Sequence, residues 1–595
     1  MSRSRTIKFS PAPKPPAGYL PTWKSYLVSC RFSFDKEGHF RERLKALPGF
    51  WYAKQLDEDL PDGLWLCAID IIPQAIEIAK AYGYSVVNKV TSTPHWNRKL
   101  PTLGSKRYPT WSSARDYQLP AVARSLRDRA HLISFEMGLG KTFVALMTIM
   151  LARSRNILII APKMAGKVWE DQIEIWLKPA LIACKEHRWL HVRRCKTGKD
   201  VAAMVQWLGE NPIQSRPPKS RVITIVSYGL AQPFVCCDDG FDQIVCDESH
   251  YVKSALSQRS EAVAEIREEN PGALFLHLSG TPLDEKVQDL WHQLHLLYPR
   301  RYGHFWQFVR YYCTTEEIPE SPVPIITGLK PEKADELRER VALVSTRVTK
   351  AEVADQLPPI ETQVIRMRGR KAVSLARCVT ESGAFDADAF DRIAPQLSKS
   401  KIKEAAKMAK DYTDGGVTHM AFLTYFKKSN ALLTKAIADK GYNVLSVSGD
   451  QTEDERHKII AKAAKMRQCH LVCNMDAIAV AIDLTRWSIA MFVELHNRVG
   501  IMRQGAARFH RLNSIGKVLI LLLVAQGTTD EPLAAMLRQK LEDSNSVIEG
   551  GQAEKHLAEI LNKRDMSDAE MREKLNEVTR AYLDGEALFG MELVG

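Results

Sequence analysis

The chain has 595 residues, a length that at roughly 150 residues per domain predicts three to five domains and excludes the small disulfide-stapled and zinc-folded classes. Hydrophobic residues make up 45% of it and charged residues 26%, which excludes collagen-like, disordered and low-complexity chains. The 83 Lys and Arg outweigh the 70 Asp and Glu, giving a formal charge of +13. This moderate excess favours a polyanionic partner without establishing one.

The sequence has no apparent membrane span or signal peptide and no CxxC pair, and these features bear on the cellular compartment. No stretch reaches the ~18 apolar residues of a membrane span, and the N-terminal MSRSRTIKFS lacks the apolar core of a signal peptide. The eleven cysteines are scattered without a CxxC pair, which favours reduced thiols over zinc ligands or disulfides. We therefore expect a protein with no membrane partner, which lies in the cytoplasm of a prokaryotic or phage-infected cell or in the nucleus of a eukaryotic one. The expected oligomeric state is a monomer.

The first predicted domain, residues 1–100, combines a basic arm with a small α+β module. The first 34 residues contain no acid, carry six Lys and Arg, and include a Pro-rich stretch, so we predict an extended arm. The strand-like runs YLVSCRFSF and LWLCAI then alternate with two helical stretches. A loop rich in Thr, Pro and Trp separates this module from the next domain.

Two later series of apolar runs predict two α/β lobes. Short continuous runs separated by helical stretches are typical of strands in a parallel sheet buried on both faces. The first series is HLISF, NILIIAP, VITIV, QIVC and ALFLHLS, and the second is HMAFLTY, NVLSVSG, HLVC, IAMFVEL and VLILLLVA. The predicted fold class is α/β, with lobes at 105–300 and 396–545, a mostly helical segment at 301–395 and a helical extension at 546–595.

A phosphate-binding loop is predicted where the first of these strands runs into FEMGLGKTFVALMTIM. Gly138 and Gly140 free the backbone to wrap phosphate at a helix N-terminus. Lys141 would reach the β- and γ-phosphates, and the Thr142 hydroxyl would bind Mg²⁺. The glycine usually found six residues before the lysine is Phe135 here. The loop predicts ATP and Mg²⁺ as cofactors.

An acidic pair follows the apolar strand QIVC, as Asp247-Glu248-Ser249-His250. Acids at the carboxyl end of a buried parallel strand lie where doubly wound sheets bind ligands. Asp247 can hold the Mg²⁺, and Glu248 can polarise the attacking water. The pair therefore predicts phosphoryl transfer to water.

Positive charge for such a reaction is offered by RQGAARFHR in the second lobe, with Gln504, Arg508 and Arg511. Arg508 and Arg511 are spaced i, i+3, which predicts one shared helix face. An exposed amphipathic helix would place arginines in the same way, so the motif by itself leaves both interpretations open. Together with the upstream phosphate loop, it favours arginine fingers that close over ATP from the opposite lobe.

The motifs, taken in order, resemble those of superfamily two helicase-like ATPases of the Swi/Snf type, whose lobes are RecA-like. The resemblance covers roughly residues 110 to 545 and rests on ARDYQ, MGLGKT, IIAPKMAGKVW, IVSYG, CDESHYVKS, LSGTPL, SVSGDQTEDER and QGAARFHR. Within that family, the stretch from FVELHNRVG to TTDEPL, and TRVTKAEVADQLPP before it, are similar to the annealing-helicase, HARP-type fork-remodelling branch. In outline, the N-terminal module also resembles the HARP-type substrate domain.

The resemblance implies further roles by position. It implies that Gln118 reads adenine and that four residues touch the DNA backbone or couple it to hydrolysis, namely Lys163, Ser227, Thr281 and Arg456. The family's DEAH is DESH here, and AIAVAIDLT carries Ala479 and Ala481 where flexible glycines are common. The first change is expected to be harmless, whereas the second puts backbone contacts to DNA there in doubt.

The function predicted on this basis is ATP-dependent translocation on double-stranded or branched DNA, with recombination or replication proteins as further partners. A junction-binding protein with a weak nucleotide switch and a strand-separating DNA or RNA helicase stay open as alternatives. Trp51, Tyr52 and Trp65 could stack on unpaired bases at a DNA junction. The alternative is that Trp51 and Trp65 fill the core of the N-terminal module.

Overall fold

The structure is a computed structural model, in which the chain divides into two compact units. The first includes Met1–Glu136 and Gly140–Arg347, and the second includes Met137–Leu139 and Val348–Gly551. The residues it describes are 6–11, 27–32, 39–48, 50–52, 65–68, 71–90, 114–237, 239–280, 287–299, 301–317, 324–350, 352–368, 387–478, 484–495, 502, 505–511, 514, 516–526, 528 and 530. The predicted helical extension at 546–595 lies outside them. Within the described part, no helix is both long and apolar enough to cross a membrane.

The N-terminal module is a five-stranded sheet with two helices. Its elements are β1 (Thr6–Pro11), β2 (Leu27–Phe32), α1 (His39–Lys45), β3 (Phe50–Tyr52), β4 (Trp65–Ala68), α2 (Ile72–Ala81) and β5 (Ser85–Asn88), and the strand order is β3-β4-β2-β1-β5. The prediction of an extended arm is wrong for β1, which pairs with both β2 and β5. Ile7 and Phe9 are fully buried, because hydrophobic and polar residues alternate along this stretch.

Trp65 fills the core of this module. It is 5% exposed, and its ring stacks on Phe50 with the two centroids 5.6 Å apart. Stacking of Trp65 on an unpaired base is therefore excluded, since the space over the ring is occupied. The side chains of Trp51 and Tyr52 lie outside what the structure describes.

The first unit contains a seven-stranded sheet. Its strands are β6 (Ala130–Phe135), β7 (Asn156–Ala161), β8 (Leu190–Cys195), β9 (Arg221–Ser227), β10 (Gln243–Asp247), β11 (Leu274–Leu278) and β14 (Ser345–Val348), in the order β14-β6-β11-β10-β7-β9-β8. The pairs from β6 through to β8 are parallel. The five strands predicted for this lobe are confirmed. The edge strand β8 was not predicted, because its side chains alternate between exposed and half-buried.

Helices flank this sheet on the segments between its strands. They are α3 (Gln118–Asp128), α4 (Lys141–Ala152), α5 (Gly166–Gln172), α6 (Lys178–Ala183), α7 (Gly198–Glu210), α8 (Gln258–Glu269), α9 (Gln288–Leu297), α10 (Phe305–Tyr312) and α11 (Ala334–Ala342). A π-helical turn, Ile173–Leu177, joins α5 to α6. Gln307 of α10 donates to Leu47 O at 2.8 Å, so the N-terminal module packs against this part of the unit.

In its described residues, the segment 301–395 carries four strands beside its helices and is not mostly helical, which corrects the prediction. It contains a hairpin of β12 (Cys313–Glu316) and β13 (Ile325–Leu329), and it ends the first unit with β14. It also supplies β15 (Ile360–Met367), which pairs with the second sheet. The edge strands β14 and β15 were not predicted. Strand β14 is only four residues long, and the side chains of β15 are half-buried almost throughout, so neither forms a continuous apolar run.

The second unit contains a six-stranded parallel sheet. Its strands are β15, β16 (Met420–Thr424), β17 (Val444–Val447), β18 (His470–Asn474), β19 (Ile489–Phe492) and β20 (Val518–Ala525), in the order β15-β20-β19-β16-β18-β17. Its helices are α12 (Ala387–Asp414), α13 (Lys427–Ala438), α14 (Glu453–Lys465) and α15 (Met475–Ile478). All five predicted strands are present. The α/β class, with two parallel sheets flanked by helices, is confirmed.

Candidate nucleotide and DNA site

The predicted phosphate loop connects β6 to α4. Gly138 and Gly140 have φ values of +87° and +83°, which place both in the left-handed region that favours glycine. Lys141 Nζ donates to Phe135 O at 2.9 Å, so the lysine side chain lies along the loop that it follows. Phe135 is the last residue of a buried strand, which explains why no glycine is needed there. Thr142 is the second residue of α4.

Gln118 contacts the phosphate loop. A Cβ at Gly140 would lie 2.4 Å from Gln118 Nε2, so any larger residue at that position would displace the amide. Gln118 Oε1 accepts from Arg115 N at 3.0 Å, and the side chain is 3% exposed. The amide is therefore held in place against the loop. Its implied contact with adenine stays a prediction.

Asp247 is the last residue of β10 and is held by three hydrogen bonds. Its Oδ2 accepts from Trp169 Nε1 at 2.8 Å, and its Oδ1 accepts from Glu248 N at 3.1 Å. Its backbone carbonyl accepts from the Tyr228 hydroxyl at 2.8 Å. Burial raises the pKa of the Asp247 carboxyl, and the charge of Glu248 raises it further, whereas Trp169 and Lys141 oppose the rise. A bound cation would favour the ionised form still more.

Glu248 has a backbone conformation that is unusual for a side-chain-bearing residue. Its φ is +51°, in the left-handed region, and such a residue typically costs about 1–3 kcal/mol. Strain of this kind occurs where the surrounding structure fixes a functional side chain. Glu248 carries a quarter-exposed carboxylate, and His250 Nδ1 lies 3.5 Å from its Oε2. The carboxylate can reach solvent from a fixed backbone, as a residue that orients water must.

Two of the residues implied to touch DNA lie together at the carboxyl edge of the first sheet. Ala161, at the end of β7, pairs with Ser227, at the end of β9. Lys163 follows β7 by two residues and is exposed, whereas Ser227 is half-buried. An ammonium and a hydroxyl on adjacent strand ends suit contacts to a phosphate backbone. Thr281 lies outside the described residues.

Arg456, the fourth of these residues, has a different environment from the one expected. It is 9% exposed, and each of its side-chain nitrogens donates to a backbone carbonyl, at Ser448, Gly449 and Ala477, over 3.0 to 3.3 Å. A guanidinium engaged in this way holds the loop after β17 in place. The structure therefore gives Arg456 a positioning role in the second unit and does not support a direct contact with DNA.

Arg508 and Arg511 do not share a helix face, which corrects the prediction. Arg508 N donates to Gly505 O at 3.1 Å and Phe509 N donates to Ala506 O at 3.1 Å, and residues 507–511 form turns and bends. The i→i−3 bonds tighten the chain into turns where a helix was expected. Arg508 is 9% exposed, and Arg511 is half-buried. Gln504 lies outside the described residues.

Sequence reasoning missed two residues that position this site. Trp169, the last residue of IIAPKMAGKVW, is 1% exposed and donates to Asp247 from α5. Arg347 of β14 donates to Ser134 O at 3.1 Å and to Gly280 O at 2.8 Å. It thereby joins the strand before the phosphate loop to the segment before Thr281. Only the three-dimensional pairing of β14 with β6 reveals that role.

The residues present fit ATP and Mg²⁺. The two left-handed glycines and Lys141 form a phosphate cradle at the N-terminus of a twelve-residue helix. Among the residues that the structure describes, no cluster of three or more His, Cys, Asp or Glu could bind a metal. Mg²⁺ held by Asp247 and Thr142 would therefore need phosphate oxygens and water as its remaining ligands, which is common for this ion.

Comparisons with known proteins match two family models to the chain. The SNF2-related domain matches residues 111–374, and the helicase conserved C-terminal domain matches residues 402–513. Together the two models cover more than half of the chain.

Curated relatives are similar over the same region. The human DNA annealing helicase and endonuclease ZRANB3 is 25% identical over 445 residues, covering 70% of this chain and 39% of the relative. The SWI/SNF-related matrix-associated actin-dependent regulator of chromatin subfamily A-like protein 1 of Xenopus tropicalis is 22% identical over 434 residues, covering 70% of this chain and 43% of the relative. The chain thus spans about two fifths of the length of either relative.

A solved structure, the Sulfolobus solfataricus SWI2/SNF2 ATPase core in complex with dsDNA, is 16% identical and aligns with a TM-score of 0.34. The alignment covers 80% of this chain and 99% of that one.

Proposed function

Because the chain belongs to the SNF2-related, helicase-type ATPases, we propose that it hydrolyses ATP to translocate along double-stranded or branched DNA. The observation that carries the proposal lies at the carboxyl edge of the first sheet. A phosphate loop follows β6, and the acidic pair Asp247-Glu248 stands at the end of β10, two strands away across β11. Parallel sheets bind their ligands at this edge.

The side chains around the phosphate loop and the acidic pair each have a separate proposed role in ATP hydrolysis. Lys141 would neutralise the β- and γ-phosphates, and Gln118 would fix the loop against the nucleotide. Asp247 and Thr142 would hold Mg²⁺, which when bound supplies positive charge that stabilises the negative charge of the phosphates. Glu248 would orient the attacking water. Such a reaction depends mainly on positioning and charge, and Lys141, Gln118 and Asp247 are already held by hydrogen bonds.

Arginine and glutamine residues of the second unit complete the proposed catalytic set. Arg508 and Arg511 would stabilise the negative charge that develops in the transition state, as arginine fingers do in related phosphoryl transfers. Gln504 is assigned to the same step on its position in RQGAARFHR. Burial of Arg508 supports this assignment over that of a solvated helix face, since a desolvated guanidinium acts more strongly on nearby charge.

The DNA partner is proposed from the residues at the edge of the sheet and from the relatives. Lys163, Ser227 and Thr281 would contact backbone phosphates, which position DNA without reading its sequence. The human relative is described as an annealing helicase, which favours branch migration, strand annealing or fork remodelling. Recombination or replication proteins are proposed partners of a monomer that works in the cytoplasm, or in the nucleus of a eukaryote.

The test is ATP turnover measured without DNA and with single-stranded, duplex, forked and four-way DNA. We expect strong stimulation by duplex and branched DNA, and none in a Glu248→Gln variant, which should still bind ATP. ATP turnover that does not increase when DNA is added would favour the alternative of a junction-binding protein with a weak nucleotide switch. Strand displacement that exceeds annealing or branch migration would favour a strand-separating helicase.

A further inference from the structure

A basic surface lies along the outer edge of the first sheet and takes no part in the sites above. We call it the β8 patch, and it consists of exposed residues on β8, on the turns at either end and in the first turn of α7, namely Lys185, Arg188, Trp189, Arg193, Lys196 and Lys199. Strand β8 is the last in the sheet order and pairs on one side with β9. Five cations thus occur within fifteen residues of one another.

Two acids lie in this stretch, and they leave most of its positive charge unbalanced, because Asp200 stays ionised beside Lys196 and Glu186 is shared by two cations outside the patch. Glu186 is bridged by Arg221 at 3.1 Å and by Lys219 at 3.6 Å, so two further cations face this one carboxylate. Asp200 accepts from Thr197 N at 2.8 Å and from Lys196 N at 2.9 Å, as part of the capping box of α7. The surface therefore keeps a net positive charge suited to a polyanion.

Trp189 distinguishes this surface from an edge that is charged only to prevent strand pairing. Charged side chains commonly blunt edge strands, and that role would explain Arg193. It would not explain a tryptophan that is 42% exposed in the middle of the patch. An exposed indole beside several cations is the pairing that nucleic-acid surfaces use, because the ring packs on sugars or stacks on unpaired bases while the cations hold phosphates.

The patch continues the edge that already carries the proposed DNA contacts. Cys195, at the end of β8, pairs with Val226, and Ser227 pairs with Ala161. Lys196 therefore follows its strand at the same edge as Ser227 and Lys163. The three strand ends lie side by side in the order β7-β9-β8, so Lys196 extends the row of phosphate contacts by one strand. Arg193 and Arg188 continue the patch back along β8 to its amino end.

We propose that the β8 patch binds the phosphate backbone of duplex DNA, as an extension of the contacts at Lys163 and Ser227. The proposal rests on the proposed function, and it adds a second anchoring surface to the motor. Arg188, Arg193 and Lys199 each hold one phosphate. Trp189 packs against the adjacent sugars.

The test is the salt dependence of duplex binding by the full chain carrying Arg188→Ala, Arg193→Ala and Lys199→Ala. Lys185 is left unchanged because its φ of +57° makes substitution there a backbone perturbation. Each lost phosphate contact should reduce the slope of log K against log salt by about 0.9. Three lost contacts therefore predict that the wild type loses about 40-fold more affinity than the variant between roughly 50 and 200 mM salt.

The matched control removes the same charge from exposed lysines of the second unit, with Lys435→Ala, Lys440→Ala and Lys462→Ala. The control should keep most of the wild-type slope, and a charge-preserving variant, Arg188→Lys with Arg193→Lys and Lys199→Arg, should restore it. Equal slopes for the patch and control variants would overturn the proposal. ATP turnover at saturating DNA should be unchanged, and a wild type that duplex DNA neither binds nor stimulates would instead overturn the proposed function.

Discussion

Replacing Trp169 by Phe should slow ATP hydrolysis while leaving DNA binding intact. The change keeps an aromatic ring in a site that is 1% exposed, but it removes the indole N–H that donates to Asp247 Oδ2 at 2.8 Å. Asp247 would keep the bond from Glu248 N to its other oxygen and lose its side-chain partner. The carboxylate could then rotate away from the position in which it would hold Mg²⁺.

The size of the effect follows from the kind of bond that is lost. Hydrogen bonds to charged groups contribute about 1.5–3 kcal/mol. At about 1.4 kcal/mol for each factor of ten, the full loss would lower kcat roughly 10- to 150-fold. The Mg²⁺ concentration for half-maximal activity should rise as well, because the misplaced group is a proposed metal ligand. The smaller ring also leaves a cavity, whose cost is expected in the melting temperature.

The assay compares kcat, the Mg²⁺ dependence and the melting temperature of Trp169→Phe with those of Trp176→Phe. Trp176 is a matched control because its Nε1 donates to Gln172 at 2.9 Å in the same helical stretch, away from the acidic pair. The control should keep wild-type turnover and Mg²⁺ dependence. If Trp169→Phe and Trp176→Phe hydrolyse ATP equally fast, Trp169 has no role in positioning Asp247.

Further substitutions test the other assignments. Lys141→Ala should abolish turnover by removing phosphate binding, whereas Glu248→Gln should retain ATP binding and lose hydrolysis, as measured by nucleotide titration and phosphate release. Arg508→Lys with Arg511→Lys should reduce turnover by about 10³, since Lys keeps the charge but cannot make a bidentate contact, and near wild-type turnover would remove the arginine-finger assignment. Deleting residues 1–100 should leave duplex-stimulated turnover and abolish a preference for forks, and a truncated chain that still prefers forks would place junction recognition in the motor.

The buried strands of both sheets could be predicted because each is a continuous apolar run. Strand β6, for example, is buried at all six positions, and the sequence shows this directly. Edge strands have no such signal, since one side of the strand faces solvent. Strand β8, LHVRRC, has half-buried and exposed side chains in turn up to its buried Cys195, and β1 was hidden because its short alternation lies within a basic, Pro-rich stretch. The errors therefore occur where burial is partial.

In the candidate site, motifs made of adjacent residues could be predicted, whereas contacts between distant segments could not. The phosphate loop and the Asp247-Glu248 pair were predictable, because each is a run of adjacent residues whose chemistry depends on local backbone. The partners that hold them were not, because they come from distant segments. Trp169 lies 78 positions before Asp247, and Arg347 lies 213 after Ser134. Arg456 shows the converse error, since a motif position alone cannot tell a phosphate contact from a buried clamp on backbone carbonyls.

One short stretch gives DNA-dependent hydrolysis a physical connection within the first unit. Lys163 begins the 3₁₀ turn after β7, and α5 follows this turn without interruption up to Trp169 and beyond. Its exposed end lies beside Ser227 at the proposed DNA edge, and its buried end donates to Asp247. A DNA phosphate bound to Lys163 would therefore act on a continuous helical segment. The next turn of this segment carries Trp169, which orients the proposed metal-binding carboxylate of Asp247. Since removal of the indole N–H breaks this connection, Trp169→Phe should reduce the ratio of DNA-stimulated to basal turnover as well as kcat itself.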